Sequence, residues 1–318
     1  MILVNTGKRK IECKSNWDEL TKDDLCVYVE VFYDRFDEIF GTSTSIPSSA
    51  SGNEEDDSDG YLVKDSVLFD EARIAMLRRL MKCSGKVFFS LKKEIIWELL
   101  YEHNVTNFLF FEPMAIGRNP VPTIDTSTPL SDQLYGPVDN FNVITVAEFA
   151  LLDMFYLQWK EASGTSAFDS AQPTPLSDRS SEYLDLFLAV MYRPEQKGFD
   201  PMDPKWNGDR REDFSKHNID KRLPSIWKMK AKYKRLPLLW FESERAKWPR
   251  MFPDLFEESG SGGQDWLKVV LDMSNDKFGT FAETEATPIK YFLKEMNSKM
   301  EDYHRMKVVG QKTQPQDI

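Results

Sequence analysis

The chain is 318 residues long, enough for one large domain or two ordinary ones with real apolar cores. Its formal net charge of −11 gives a mean field that repels phosphate, which argues against the whole molecule serving as a general binder of DNA or anionic membranes. Three widely spaced cysteines, Cys13, Cys26 and Cys83, form no CxxC pair and have no histidine at ligand spacing, so they read as buried, reduced thiols of a cytosolic protein.

The opening MILVNTGKRK has too short an apolar run for a signal peptide. The longest apolar stretches, such as FALLDMFYL at 149–157, are broken by charge well before the ~20 residues that a membrane span needs. No membrane contact and a cytoplasmic location are expected. The first elements are a strand near Lys8 to Lys14 and a helix that starts at Thr21, where Thr21 and Asp24 form a variant of the capping box. Leu25, Tyr28 or Val29, Phe32 and Phe36 recur at steps of three and four and make its apolar face. Ser15 offers a second cap just ahead of it, and Trp17 is placed to close over the stripe. Residues 41–60 are almost free of apolar side chains and end in the acidic cluster Glu54, Glu55, Asp56, Asp57 and Asp59. This cluster lacks the alternation and closing glutamate of an EF-hand, so it reads as a disordered acidic insertion.

A helix over Phe69 to Met81 is expected next, with Ile74, Leu77 and Met81 on one face and Arg73 elsewhere around it. GKVFFSL at 85–91 suggests a short strand that would complete a small N-terminal sheet, and Ser90 suggests a cap for a helix through Tyr101. Five prolines between Pro113 and Pro137 mark an irregular connector. Thr145 and Glu148 form a full capping box before Phe149, Leu152, Tyr156 and Trp159. A helix with Leu184, Phe187, Leu188 and Met191 buried ends at Pro194, and the two are expected to pack as neighbours. Residues 195–219 read as loop. Pro224 suits a first helical turn, whereas Pro237 is expected to interrupt a helix near Leu236. Beyond the linker SGSGG at 259–263, QDWLKVVLDMSN and TPIKYFLKEMNSKMEDYHRM read as two helices, the second aligning Ile289, Phe292, Met296 and Met300.

The expected architecture is mainly α: irregular multi-helix domains with at most a small N-terminal β element. Its parts are an N-terminal helical region over 1–112, a connector over 113–142, a central helical domain over 143–258, a C-terminal helical module over 264–306 and a flexible tail over 307–318. The expected core includes Trp17, Phe32, Leu77, Trp97, Phe149, Tyr156, Phe187, Met191, Trp227 and Trp240.

No catalytic, metal-binding or cofactor-binding residues stand out. His103, His217 and His304 are far apart in sequence and sit in no nucleophile or metal signature, and no glycine-rich phosphate loop is visible. The most distinctive segment, 221–256, suggests two surfaces. Lys228, Lys230, Lys232, Lys234 and Arg235, with further cations on either side, make a basic island interleaved with Trp227, Tyr233, Trp240 and Phe241, as single-stranded nucleic acid would require. The same lysines are also distributed as a solvated face that pairs with the chain's own acids would be. Trp240, Phe241, Trp248, Phe252, Leu255 and Phe256 crowd around Pro237, Pro249 and Pro253, as the rim of a protein-binding pocket or as a corner of the core.

The pieces NWDELTKDDL, EFALLDMFYLQW, LAVMYRP, KYKRLPLLWFESERAKWPRMFPDLF and W…VVLDMSNDKFGT…TPIKYFL occur in an order that resembles a group of uncharacterised proteins encoded among the tail genes of Bacteroides-type prophages. The likeness spans most of the chain outside the acidic insertion and the tail. It implies a non-enzymatic protein of the host cytoplasm that acts in tail morphogenesis as a tail-assembly chaperone, without a cofactor. Its partner would be a phage tail protein, the tape measure or the tail tube. Nucleic-acid binding through the basic segment is the alternative.

Overall fold

The structure is a computed structural model; it describes residues 2–6, 9–32, 35, 39, 63, 65–83, 85–112, 114–124, 133–137, 141–163, 177–203, 207–256, 270–271, 273–274 and 278–312. The acidic insertion, Phe36, the Gly/Ser linker, most of QDWLKVVLDMSN and the last six residues lie outside that set. As expected, the protein is mainly α, with a small sheet near the N-terminus. It divides into two compact units, one over Met1–Ala115 and the other over Ile116–Ser163 with Pro173–Ile318.

In the first unit β1 (Ile2–Thr6) and β2 (Arg9–Cys13) form an antiparallel hairpin with Ile2 opposite Cys13. The second strand is where the sequence placed one, but its partner is the N-terminal strand. GKVFFSL does not join the sheet, because residues 80–82 already occupy the other edge of β2: the Lys14 N–H donates to the Leu80 carbonyl at 3.0 Å and the Lys82 N–H to the Glu12 carbonyl at 3.0 Å. Residues Gly85–Phe89 form the short helix α3, and the Ser90 hydroxyl donates to the Val87 carbonyl without capping the next helix.

The α1 helix (Lys22–Val31) starts as expected. The Thr21 hydroxyl accepts from the Asp24 N–H, the Asp24 carboxylate accepts from the Thr21 N–H, and Leu25, Tyr28, Val29 and Phe32 are buried. Asn16, not Ser15, caps the 3-10 turn over Trp17–Glu19, which puts the Trp17 ring edge-on to Tyr28 at 5.1 Å.

Helix α2 (Ser66–Leu80) packs on α1 and buries Phe69, Ala72, Arg73, Met76, Leu77 and Leu80, while Ile74 is only half-buried. Arg73, expected off this face, is buried because its guanidinium has polar partners below the surface. It donates to the Leu100 carbonyl at 2.6 Å and the Thr106 hydroxyl at 3.2 Å, and lies 4.6 Å over the Tyr101 ring. α4 (Lys93–Trp97) runs into a wider π turn, Glu98–Glu102, and α5 (Asn107–Phe110) closes the unit. Trp97 is half-buried and stacks on Tyr101 at 5.0 Å.

The second unit begins inside the expected connector. β3 (Thr123–Ile124) and β4 (Leu134–Tyr135) form a short antiparallel ribbon, and Tyr135 exchanges backbone hydrogen bonds with Arg193 at 2.8 and 3.0 Å. α6 (Val146–Ala162) and α7 (Ser177–Met191) pack on each other as expected, burying Phe149, Leu152, Tyr156 and Trp159 against Leu184, Phe187, Leu188 and Met191.

α8 (Ile219–Trp227) and α9 (Ala231–Arg245) break at 228–230, not near Leu236. Pro224 and Pro237 both lie inside helices. A proline at 237 removes the bond to the Tyr233 carbonyl, a defect worth ~3 kcal/mol, yet burial of Leu236, Leu238, Leu239, Trp240 and Phe241 holds the helix together across it. α10 (Trp248–Met251) and α11 (Pro253–Phe256) follow.

The C-terminal module belongs to this same unit. α12 (Phe281–Ala286) leads into α13 (Ile289–Lys312), whose start is fixed to that of α6 by the Val146 N–H to the Thr287 carbonyl at 2.9 Å and the Ile289 N–H to the Ile144 carbonyl at 2.8 Å. Helix therefore continues six residues into the expected tail.

Candidate functional site

The most concentrated chemistry in the second unit is a buried charge cluster. Glu148 lies in the first turn of α6, Arg193 follows α7, Asp209 and Arg211 come from the segment read as loop, and Arg222 comes from α8. Arg211 donates to the Glu148 carboxylate at 2.7 Å, to Asp209 at 2.8 and 2.9 Å, and to the Met191 carbonyl at 2.8 Å. Arg193 donates to Glu148 at 2.9 Å and Asp209 at 3.2 Å, and Arg222 to Glu212 at 3.2 Å and the Ala189 carbonyl at 2.8 Å.

Burial works against the charge on Arg193 and Arg222 and lowers both their pKa values. For Arg211 burial acts in the same sense, but the Glu148 and Asp209 carboxylates outweigh it and favour the cation. Glu148 therefore has a different task from the one its spacing suggested. Its N–H donates to the Thr145 hydroxyl, as in a capping box, but its carboxylate serves the two arginines. With Glu148 and Arg211 sealed from solvent, the cluster joins α6, α7, the 195–219 segment and α8, and offers no exposed acid or base at either residue.

The aromatic residues chosen as a partner site are where a core needs them. Trp240, Phe241, Trp248 and Phe252 are buried and Phe256 is half-buried. Phe141 sits edge-on to Trp240 at 4.8 Å, Phe149 lies 4.6 Å from Trp248 and 5.6 Å from Phe241, and Phe187 meets Phe241 at 5.2 Å. Offset and edge-to-face contacts of this kind add ~0.5–1.5 kcal/mol each beyond the area buried. The corner-of-core alternative is the one the structure has, so these buried rings form no exposed rim.

The basic island divides in two. Lys234 pairs with Asp185 at 2.6 Å, Arg245 with Asp153 at 3.0 Å and Lys247 with Glu244, while the Arg235 guanidinium lies 5.6 Å from the Trp159 ring. Lys228, Lys230 and Lys232 are exposed around the α8–α9 break. Beside them Trp227, expected in the core, is 62% exposed. The buried stripe of α8 runs through Ile219, Arg222 and Ile226, and one further residue turns a side chain ~100° away from it.

The histidines lie on separate elements. His103 faces Glu98 at 3.5 Å, His217 is exposed, and His304 is on α13 beside Tyr303. Among the described residues no group of His, Cys, Asp and Glu is placed to hold a metal ion, and no helix is long and apolar enough to cross a membrane. The cysteines form no disulfide among the described residues, with Cys13 buried and Cys26 and Cys83 half-buried.

A surface that sequence reasoning passed over lies on α13. Its apolar stripe runs Ile289, Phe292, Met296, Met300, Tyr303 and Met306. Ile289, Phe292 and Leu293 are fully buried, Met296 and Met300 half-buried, Tyr303 53% exposed and Met306 67% exposed. The signal was in the spacing: the repeat continues past Met300, but only a structure shows where its cover ends.

No protein-family model, curated protein or solved structure matches the chain.

Proposed function

We propose that this protein is a non-catalytic binding protein of phage tail morphogenesis, a tail-assembly chaperone that holds the tape-measure protein before the tail tube closes around it. The observation that carries the reading is the stripe of α13, which outlasts its packing within the unit. An amphipathic helix with one end of its apolar face uncovered is suited to lie along a second amphipathic helix, and the tape-measure protein implied by the resemblance is long and helical. The contact region moves accordingly, from the buried aromatics at 240–256 to the outer turns of α13.

Co-expression with the tape-measure protein encoded by the same prophage tests this, followed by size-exclusion chromatography. The two are expected to co-elute. Tyr303→Ser with Met306→Ser is expected to separate them while leaving the melting transition in place, since substitutions at exposed positions cost within ~0.5 kcal/mol. Retention by the double variant would exclude α13 as the contact, and failure of the unmodified chain to retain any tail protein would overturn the chaperone reading.

A further inference from the structure

From the α8–α9 break we infer that this protein has a binding surface for single-stranded nucleic acid, built on Trp227 with Lys228, Lys230 and Lys232. The inference does not rest on the tail-assembly reading.

The first observation is the exposure of Trp227. A large indole costs free energy when left in water, and here it belongs to a helix that buries its neighbour Ile226 completely. The second is the local sign of charge. On the exposed positions from 220 to 232, Asp220 is the one acid against Lys221, Lys228, Lys230 and Lys232, in a chain whose net charge is −11. The cations farther along α9 differ in exposure: Lys234, Arg235 and Arg245 are half-buried, the first and last in ion pairs and Arg235 over the Trp159 ring, whereas Lys232 is exposed, its ammonium 4.7 Å over the neighbouring Tyr233 ring. The surface is therefore smaller than the basic segment and is confined to residues 227–232.

An exposed flat ring followed within five residues by three exposed cations matches a ligand that is anionic and carries exposed ring faces. Single-stranded nucleic acid has both, because an unpaired base can stack on an indole while its phosphates lie against ammonium groups. A duplex keeps both faces of each base covered by its neighbours, so it can use the lysines but not Trp227. An acidic polypeptide can also use the lysines, and it brings no ring faces for the indole.

The experiment measures fluorescence anisotropy of labelled oligo(dT), a duplex of equal length and labelled polyglutamate, each at low and moderate salt, with the full chain. Oligo(dT) is expected to bind most tightly and to lose affinity steeply as salt rises. The variant with Lys228, Lys230 and Lys232 all changed to Gln is expected to flatten the logarithmic salt slope by about 2, three phosphate contacts at ~0.7 each. Trp227→Ala is expected to weaken oligo(dT) on the order of ten-fold without changing that slope, and Trp227→Phe to restore most of the loss. No binding at low salt would overturn the inference. So would a duplex held as tightly as oligo(dT), or polyglutamate held as tightly with no effect of Trp227→Ala, the last assigning the surface to an acidic protein.

Discussion

Glu148 and Arg211 meet at 2.7 Å with both side chains sealed from solvent, although they stand 63 residues apart in sequence. Taking such groups out of water is unfavourable, and the arrangement persists because Arg193 and Asp209 complete the neutralisation. Glu148→Gln is expected to leave two guanidinium groups short of one anion and to destabilise the second unit by about 3–5 kcal/mol. Denaturant unfolding followed by far-UV circular dichroism measures this. Because the pair is buried, the loss should change little between low and high salt, and a strongly salt-dependent loss would place these charges in water.

The ring cluster gives a second expectation. Trp248→Ala is expected to cost about 3–5 kcal/mol, since the ring is buried against Phe149 and Phe141 and its removal leaves a cavity. Thermal melting of that variant checks it. A melting transition within a few degrees of the unmodified chain would return Trp248 to the surface.

Gly136 supplies a third, through space alone. A Cβ added there would lie 2.9 Å from Cε1 of Tyr192 and closer still to the Asn119 side-chain nitrogen. Tyr192 cannot give way freely, because its hydroxyl donates to the Val121 carbonyl at 2.5 Å in the interior. Gly136→Ala is expected to destabilise by about 1–3 kcal/mol through overpacking, seen as a lower denaturant midpoint. An unchanged midpoint would contradict this packing.

What the sequence showed and what it concealed follow from the range of the interactions. The start and buried face of α6 were legible because Thr145 and the repeat Phe149, Leu152, Tyr156, Trp159 are local signals. The destination of the Glu148 carboxylate was not, because its partners come from elements 45 and 63 residues away and one of them lies in a segment without periodicity. Pro237 reads from sequence as an interruption of a helix because local chemistry disfavours it there, and packing overrides that preference. Trp227 was placed in the core by residue type; its angular position on α8 decided otherwise. The strand at 85–91 was unavailable because Leu80 and Lys82 already bond β2. Of the surfaces argued to bind partners, the lysines and Trp227 could be named from sequence, whereas the uncovered end of α13 required knowing where packing stops.

Acid should act on the first unit through Asp24. Burial alone would raise its carboxyl, but the Lys14 ammonium and the Thr21 hydroxyl and N–H hold it below the usual carboxylate range. A folded-state pKa below the unfolded one contributes stability above the unfolded value, and that contribution is lost as pH falls through the folded value. Asp24→Asn is therefore expected to destabilise at neutral pH and to narrow the gap from the unmodified chain as the solution is acidified below the unfolded carboxylate pKa. Unfolding midpoints across that range test the sign, and a gap that widens on acidification would contradict it.

Hydrogen exchange along α13, in the chain alone and mixed with the tape-measure protein proposed as its partner, tests the central claim most directly. Amides around Tyr303 and Met306 have little packing over them, so they are expected to exchange early in the free chain, while those around Phe292 and Leu293 exchange late. In the mixture the outer turns are expected to become protected by about ten-fold or more. Unchanged exchange across residues 298–306 in a mixture shown to contain the complex, or no complex at all, would contradict the account.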